Sequence, residues 1–295
     1  MILVTGATGS VGRHLVRRLA DRGVEFRALV RDEAKGRELG CDHVIGDFDD
    51  PASLAAAFEG VDRLFLNGPG AQAVGGEQPM VRQLGAVIDA AAAAGVERVV
   101  KISVWHASPG GALSEGAHWE LDRRLAASGL PWTVLQPSGF LQNLLGPGAF
   151  TADGQLIGRY GDGAISHIDC HDIAACADVL LTGPARPGET FVLTGPEALT
   201  DAQLAARVAA ALGRPVGRVT LTPDDLAAAL AGRGAPIGFA RDLASLFRGA
   251  AAGDLADVTT AVPDLLGRPA RTVDEFLADN LAELRKSADG QGSWV

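Results

Sequence analysis

The sequence predicts an α/β fold, a doubly wound parallel sheet with a small C-terminal α/β lobe interleaved with it. The chain opens with a short apolar run at residues 2–4, which leads through a glycine-rich turn into an amphipathic helical pattern. Apolar strand patterns then alternate with helical patterns up to Pro137, and this alternation is typical of parallel sheets. After Pro137 the strand patterns become shorter and less regular, which predicts the second lobe.

The elements are predicted in order from these patterns. Strands are expected at residues 2–4, 25–30, 43–45, 61–66, 98–103 and 132–136, and helices at 11–22, 51–58, 79–94 and 114–128. Asp50 before Pro51 is a typical N-cap and first-turn pair. In the lobe, helices are expected at 139–145, 171–181, 200–212, 224–230, 239–247 and 272–285, and strands at 156–157, 165–168, 190–193 and 216–221. We predict a core domain at 1–137, a lobe at 138–286 and a frayed tail at 287–295.

The composition excludes several classes of protein. Lys and Arg number 26 against 36 Asp and Glu, a net charge of −10 without a basic cluster, which argues against nucleic-acid binding because phosphate contacts supply most of that affinity. Cys41, Cys170 and Cys176 are too scattered for a disulfide framework or a zinc site, and we expect no metal, although His167 and Asp169 lie close in sequence. No apolar run approaches a membrane span, and the chain begins in a core strand. We expect a cytoplasmic protein, monomeric or homodimeric, with no membrane partner.

The turn after the first strand carries the pattern Gly6-x-x-Gly9-x-x-Gly12. Gly6 allows a tight turn, Gly9 lets a pyrophosphate approach the backbone, and Gly12 lets the following helix lie close to the sheet. The helix N-terminus offers free N–H groups and a partial positive charge to an anion. The predicted phosphate-binding residues are Gly6, Thr8, Gly9, Ser10, Val11 and Gly12, with the Thr5 hydroxyl as a further donor. The alternative is a turn that binds nothing.

The residue after the second strand distinguishes the two nicotinamide dinucleotides. An acidic residue there binds a ribose 2′-hydroxyl, whereas an arginine pairs with a 2′-phosphate. Arg31 holds that place, which favours NADP(H); Asp32 one step later leaves NAD(H) possible, and Arg31 could instead be a solvated surface residue. The other predicted cofactor contacts follow further strands: Asp47, Phe48, Asn67, Gly68, Pro69, Ser103, Pro137 and Phe140.

Longer stretches of the chain resemble one family. They are residues 5–12, 29–31, 46–47, 126–137, 168–174, 193–198 and 267–272, together with Phe140 and Asn143. In these stretches the chain is similar to the NmrA-like family of atypical short-chain dehydrogenases/reductases, over about residues 1–285. The resemblance implies a Rossmann-type fold with bound NADP(H) or NAD(H). Members include reductases of quinones and of triphenylmethane dyes, isoflavone-type reductases, and redox-sensing regulators without catalysis, so the family alone does not decide between enzyme and sensor.

The tyrosine and lysine of ordinary short-chain dehydrogenases are absent, because no lysine follows the single tyrosine, Tyr160, by four residues. His118 and Asp122 take that spacing on the corresponding helix and share a helix face. A carboxylate next to an imidazole favours its protonated form, which predicts His118, poised by Asp122, as the proton donor. The alternative is a structural ion pair. Ser103 is the third candidate catalytic residue, able to bind the nicotinamide or a substrate oxygen, or only local backbone.

Large apolar side chains near the same edge predict a substrate pocket roofed by the lobe, although tryptophans are also common in protein cores. The predicted pocket residues are Trp105, Trp119, Phe140, Asn143 and Leu144. Conjugated, electron-poor acceptors need little acid catalysis. The missing tyrosine therefore favours an NADPH-dependent reductase of a quinonoid or aromatic small molecule. The alternatives are a cofactor-binding redox sensor without turnover and a secondary-metabolism isomerase of the same fold.

Overall fold

A computed structural model describes residues 1–146, 148–232 and 234–289 of the chain. The elements up to the predicted domain boundary are β1 (Ile2–Val4), α1 (Ser10–Asp21), β2 (Phe26–Val30), α2 (Glu33–Leu39), β3 (His43–Ile45), α3 (Pro51–Ala57), β4 (Arg63–Leu66), α4 (Pro79–Ala93), β5 (Arg98–Ile102), α5 (Ser114–Ala127) and β6 (Trp132–Pro137). The elements after it are a short 3₁₀ helix (Leu141–Leu145), β7 (Leu156–Gly158), β8 (Ala164–Ile165), α6 (Cys170–Thr182), β9 (Glu189–Leu193), β10 (Leu199–Thr200), α7 (Asp201–Leu212), β11 (Arg218–Thr220), α8 (Pro223–Gly232), α9 (Ile237–Ala252), α10 (Ala261–Leu266), α11 (Val273–Asp279) and α12 (Leu281–Ala288).

The main sheet has seven strands in the order β3-β2-β1-β4-β5-β6-β9. All neighbouring pairs from β3 to β6 are parallel, and Val4 of β1 lies opposite Ala28 on one side and Phe65 on the other. The predicted doubly wound parallel sheet is therefore confirmed. The strand order reverses between β1 and β4, and ligands of such sheets bind beyond the carboxyl ends of the strands at that point.

Helices cover the central strands of this sheet. Leu54 of α3, Ile88 of α4 and Leu121 of α5 are almost fully buried in one apolar cluster with sheet residues such as Leu64. On α6, the buried carboxylate of Asp178 is paired with Arg18 of α1 and with Arg22, which follows the end of that helix. This charged contact joins α6 to the C-terminal end of α1.

The chain forms two compact units. The first contains residues 1–72, 77–137 and 170–192, and the second contains 73–76, 138–169 and the chain from 193 onward. The chain thus leaves the first unit after Pro137, as the patterns indicate, but α6 and most of β9 return to it. The lobe was predicted at 138–286 and interleaved with the last strands of the core; residues 170–192 of that range belong to the first unit, because α6 packs against α1 and three strands of the main sheet.

The second unit has its own core and two small sheets, β8 with β10 and β7 with β11. Phe276 of α11 is fully buried there, together with Val208 of α7 and Leu284 of α12. Ser287 and Ala288 are buried at the end of α12, so the predicted tail is wrong for these residues, since apolar contacts hold the last turn. Residues 290–295 of that prediction lie outside the described residues.

Several boundaries differ from the prediction for local reasons. The single helix expected at 272–285 is two helices, α11 and α12, separated at Asn280, whose side chain donates to the Phe276 carbonyl. A helix that was not predicted, α2, follows β2 and is capped by Asp32. The predicted cap of α3 by Asp50 is confirmed, and Thr200 caps α7. In the described part of the chain, no helix has the length and apolar character needed to span a membrane.

Candidate functional site

The glycine turn between β1 and α1 has a shape that only glycine permits at two positions. Gly6 has a φ of +62°, and a Cβ there would lie 3.0 Å from the Asn67 carbonyl oxygen. A Cβ on Gly12 would collide with the Gly6 carbonyl oxygen. The turn therefore needs a residue that tolerates positive φ at position 6 and a residue without a side chain at position 12.

The N-terminus of α1 is open to an anion. Gly9 is its N-cap and offers no side chain, and the first turn contains no acidic residue. By contrast, α2 is capped by Asp32 and α3 by Asp50. The free N–H groups of α1 and its positive end are thus left for a ligand.

Thr5 does not supply the phosphate donor expected of it. Its hydroxyl accepts from the Asn67 N–H at 2.9 Å and lies 2.7 Å from the Asn67 carbonyl oxygen and 2.9 Å from that of Phe65. The side chain is fully buried. Thr5 instead ties the end of β1 to the end of β4.

A cavity of about 330 Å³ lies at the carboxyl ends of β1, β2, β3 and β4. We call it the glycine-turn cavity. Nine predicted cofactor residues line it: Gly6, Thr8, Gly9, Arg31, Asp47, Phe48, Asn67, Gly68 and Pro69. Its other lining residues are Ala7, Leu29, Val30, Lys35, Gln72 and Gln83. Three predicted phosphate residues do not line it: Ser10 is exposed in the first turn of α1, and Val11 and Gly12 are buried in that helix.

The charged residues in and near this cavity differ in their exposure and in whether they are hydrogen-bonded to the backbone. Arg31 and Lys35 line it and are both exposed. The Asp32 carboxylate accepts the Ala34 N–H at 2.7 Å and does not line the cavity. Asp47 accepts the Asp49 N–H at 3.0 Å, which fixes the loop after β3. The cavity thus presents two cations at the place where an acidic residue would select a ribose hydroxyl.

Gln83 is a cavity residue that the sequence analysis missed. Its Nε2 donates to Asp49 at 2.8 Å, and its Oε1 is buried with no hydrogen-bond partner among the described residues. Hydrogen bonds from Gln83 and Arg82 lower the pKa of Asp49, which keeps that carboxylate an acceptor. A glutamine in the middle of an amphipathic helix carries no sequence signal, so only the packing of α4 places this acceptor in the cavity wall.

A second group of polar residues lies where β5 meets α5. We call Lys101, Ser103, His118 and Asp122 the polar cluster. Lys101 Nζ lies 2.8 Å from Asp122 Oδ1 and 3.0 Å from His118 Nδ1, and the Ser103 hydroxyl donates to Asp122 Oδ2 at 2.7 Å. The structure therefore brings together all three predicted catalytic residues and adds Lys101.

The predicted protonation of His118 is wrong. The partner of its Nδ1 is Lys101, not Asp122. Burial and the positive charge of Lys101 hold the pKa of His118 well below its ordinary value. The ring is therefore neutral near pH 7, since a positive neighbour and a low-polarity environment both disfavour the imidazolium.

Lys101 is the member of the polar cluster that was not predicted from the sequence. Its signal is a charged residue inside the apolar run Val99-Val-Lys-Ile102, in a strand that must be buried on both faces. A lysine in such a place is uncommon without a partner.

The remaining predicted residues fall in several places. Trp105 is half-buried and stacks on His106 at 4.9 Å between ring centres, and Trp119 is half-buried beside His118 on α5. Pro137 is buried at the end of β6. The glycine-turn cavity is not lined by Trp105, Trp119 or Pro137.

Three predicted pocket residues belong to the second unit. Phe140, Asn143 and Leu144 line a small cavity there, of about 30 Å³, with Tyr160 and His167. Burial lowers the pKa of His167 to about 4. Within the described ranges, no group of three or more His, Cys, Asp or Glu side chains is placed to hold a metal ion.

Comparison with known proteins identifies the family. Residues 6–182 match a family described as NAD(P)H-binding. The chain belongs to this family. It is 39% identical over 282 residues to an NAD(P)H azoreductase of Xenophilus azovorans, covering 94% of this chain and 96% of that protein. It is 35% identical over 286 residues to quinone oxidoreductase 2 of Escherichia coli, covering 94% and 98%.

A solved structure has the same fold over nearly the whole chain. The crystal structure of the NADPH-dependent quinone oxidoreductase of Escherichia coli, complexed with NADPH, matches with a TM-score of 0.81 and 32% identity, covering 95% of this chain and 100% of that one. The Rossmann-type fold, the NAD(P)H cofactor class and the resemblance to NmrA-like atypical short-chain dehydrogenases/reductases are therefore confirmed.

Proposed function

We propose that this protein is an NADPH-dependent reductase of quinonoid or other conjugated aromatic small molecules. The observation that carries the proposal is the glycine-turn cavity, which joins an uncapped helix N-terminus to the two cations Arg31 and Lys35. The names of the azoreductase and the quinone oxidoreductase that it resembles support the same class of acceptor. The cytoplasmic location and the monomeric or homodimeric state remain predictions.

The cavity residues fit a phosphorylated dinucleotide. A side chain on Gly12 would press into the turn, and the start of α1 has no acceptor of its own, so the turn suits a pyrophosphate. Arg31 and Lys35 suit a 2′-phosphate, because Asp32 is committed to capping α2. Gln83 lines the same cavity and donates to Asp49 at 2.8 Å, which fixes that carboxylate near the cavity.

The polar cluster suits an acceptor that gains negative charge. Bound NADPH supplies a hydride, and a quinone that takes it together with one proton becomes a hydroquinone as NADP+ forms. His118 is neutral, so its proton is poorly suited to be given away at neutral pH. We assign His118 as a hydrogen-bond donor to the oxygen or nitrogen that becomes negative, and the proton comes from water. Neutral histidine acts as such an electrophile in other enzymes.

NADPH oxidation tests the proposal. Purified protein is incubated with NADPH or NADH and a panel of quinones, azo compounds and simple ketones. We expect turnover of quinones or azo compounds with NADPH, weaker turnover with NADH, and none with simple ketones, which need an acid catalyst. Tight NADPH binding without oxidation by any acceptor would overturn the reductase and indicate a cofactor sensor.

A His118→Ala variant tests the assignment of the donor. Loss of one donor to a developing anion lowers kcat by roughly 10²–10³-fold, whereas the affinity for NADPH should stay unchanged. His118→Gln, which keeps a donor, should recover part of the rate. Equal kcat in wild type and His118→Ala would contradict the assignment.

A further inference from the structure

Lys101 is fully buried, whereas the other lysines of the chain, Lys35 and Lys286, are exposed. A buried ammonium is costly unless each of its protons is bonded. Three acceptors surround Lys101 Nζ: Asp122 Oδ1 at 2.8 Å, His118 Nδ1 at 3.0 Å and the Ile102 carbonyl at 3.2 Å. They match the three protons of an ammonium group. Burial lowers the pKa of Lys101 and Asp122 opposes that shift.

This arrangement dictates which nitrogen of His118 carries the proton. An ammonium next to Nδ1 requires Nδ1 to accept, and a neutral imidazole has only one N–H. The proton therefore lies on Nε2. Among the described residues Nε2 has no partner, and it is not one of the fully buried unpartnered atoms. Nε2 is thus the side of the ring that a ligand can reach.

The same lysine also determines what Ser103 can do. The Asp122 carboxylate accepts from Lys101 with one oxygen and from the Ser103 hydroxyl with the other, at 2.7 Å. The proton of Ser103 is thereby committed, and its oxygen keeps only acceptor capacity. The two residues therefore have opposite roles toward a ligand: His118 donates and Ser103 accepts.

We propose that Lys101 is a positioning residue of the reductase, which holds His118 as a neutral Nε2–H donor and, through Asp122, holds Ser103 as an acceptor. This inference rests on the proposed function. It narrows the substrate class to acceptors whose oxygen or nitrogen gains negative charge next to a donor. The fixed charge of Lys101 behind the imidazole further favours that negative charge, because Coulomb interactions are strong in a buried site.

The charged groups around His118 are few. Lys101 approaches from β5, and Asp122, Glu115 and Glu120 lie on its own helix. From α4, which packs against α5, Asp89 is paired with Arg124. Among these charged groups, Lys101 is therefore the one whose removal should change the tautomer and the pKa of His118 most.

Nitrogen NMR of the imidazole tests the inference on the whole protein. The chain has six histidines, and the His118 signals are assigned with His118→Gln. In wild type we expect Nε2 protonated and Nδ1 unprotonated, unchanged as the pH is lowered through the ordinary histidine pKa. In Lys101→Met we expect mixed tautomers and a higher pKa of the ring than in wild type, because burial still lowers the pKa but the charge of Lys101 no longer does.

Kinetics supplies a second readout. Lys101→Met should lower kcat for a quinone on the order of tenfold or more while leaving KM for NADPH within about twofold, because the donor is misplaced and the cofactor cavity is untouched. Lys101→Arg, which keeps the charge, should retain the Nε2–H tautomer and recover part of kcat. Lys286→Met removes the same charge at an exposed site and should change neither readout.

Two results would overturn the inference. One is a wild-type His118 that is Nδ1-protonated or an imidazolium near pH 7, which can be seen even where Lys101→Met does not fold. The other is a folded Lys101→Met protein with wild-type tautomer and kcat. If none of the tested acceptors supported NADPH oxidation, the proposed function would be overturned, but the tautomer result would still stand. The two failures are therefore distinguishable.

Discussion

The glycine-turn cavity and the polar cluster belong to the same unit but differ in the solvent exposure of their charged side chains. Arg31 and Lys35 are exposed at the cavity, and the nearby pair Arg82–Asp49 is also open, with side chains 64% and 41% exposed. In the polar cluster Lys101 is 0% and Asp122 19% exposed. Exposed charges are free to bind a ligand but contribute little to stability, whereas buried charges must satisfy one another first. The difference in exposure supports the proposal that the cavity binds the cofactor and that the buried cluster positions its own side chains.

The largest expected effect follows from breaking the buried pair. Asp122→Ala leaves the ammonium of Lys101 without its carboxylate and should lower the free energy of unfolding by about 3 kcal/mol. The matched change at the exposed pair, Asp49→Ala, should lower the free energy of unfolding much less, because solvent screens the exposed pair. Urea denaturation of both variants measures the difference. Equal losses would show that burial does not separate the two regions.

The second effect concerns the shape of the cavity. Gly12→Val places a side chain against the Gly6 carbonyl, which should distort the turn and weaken NADPH binding on the order of a hundredfold. The matched control is Gly238→Val near the start of α9, where nothing lies within 4 Å of the added Cβ. Fluorescence titration with NADPH measures both. A Gly12→Val protein with wild-type affinity would refute the role of the glycine turn.

The third effect concerns charge at the cavity. Arg31→Ala should weaken NADPH binding by about 1.5–3 kcal/mol, tenfold or more, and leave NADH binding nearly unchanged, because only NADPH carries the 2′-phosphate. Added salt should weaken NADPH binding to wild type more than to Arg31→Ala, since exposed charges are screened. Wild-type protein with equal affinity for both cofactors would argue against NADP(H) preference.

The smallest expected effect is a nearly flat pH profile. The pKa of His118 is lowered, so the ring is already neutral at the ordinary histidine pKa and protonates only as the pH falls further. We therefore expect kcat for a quinone to change less than about twofold between about pH 6 and about pH 8. A sigmoidal fall in rate as pH rises through that range would instead restore His118 as a protonated acid.

Local sequence predicted most of the first unit. The strand, turn and helix at the start of the chain, the cap at Asp50 and the place of Arg31 at the cavity depend on neighbours within a few positions. Such features are visible in sequence because short-range geometry limits which residue types fit. The return of α6 to the first unit was not predictable in this way, because its partners on α1 are more than a hundred residues away: Asp178 pairs with Arg18 and Arg22.

The sequence by itself determined the parallel sheet, the glycine turn and the cation at the end of the second strand, since each follows from residue type and spacing alone. Tertiary structure decided which atoms of the candidate catalytic residues are free. The spacing of His118 and Asp122 predicted that they act on each other, but Lys101 on β5 lies between their polar atoms and bonds to both. Burial of the ring and the charge of Lys101 together reverse the expected protonation of the histidine, because the energy of a buried proton depends on the surrounding solvent and on every charge within a few ångströms, whichever strand or helix carries it.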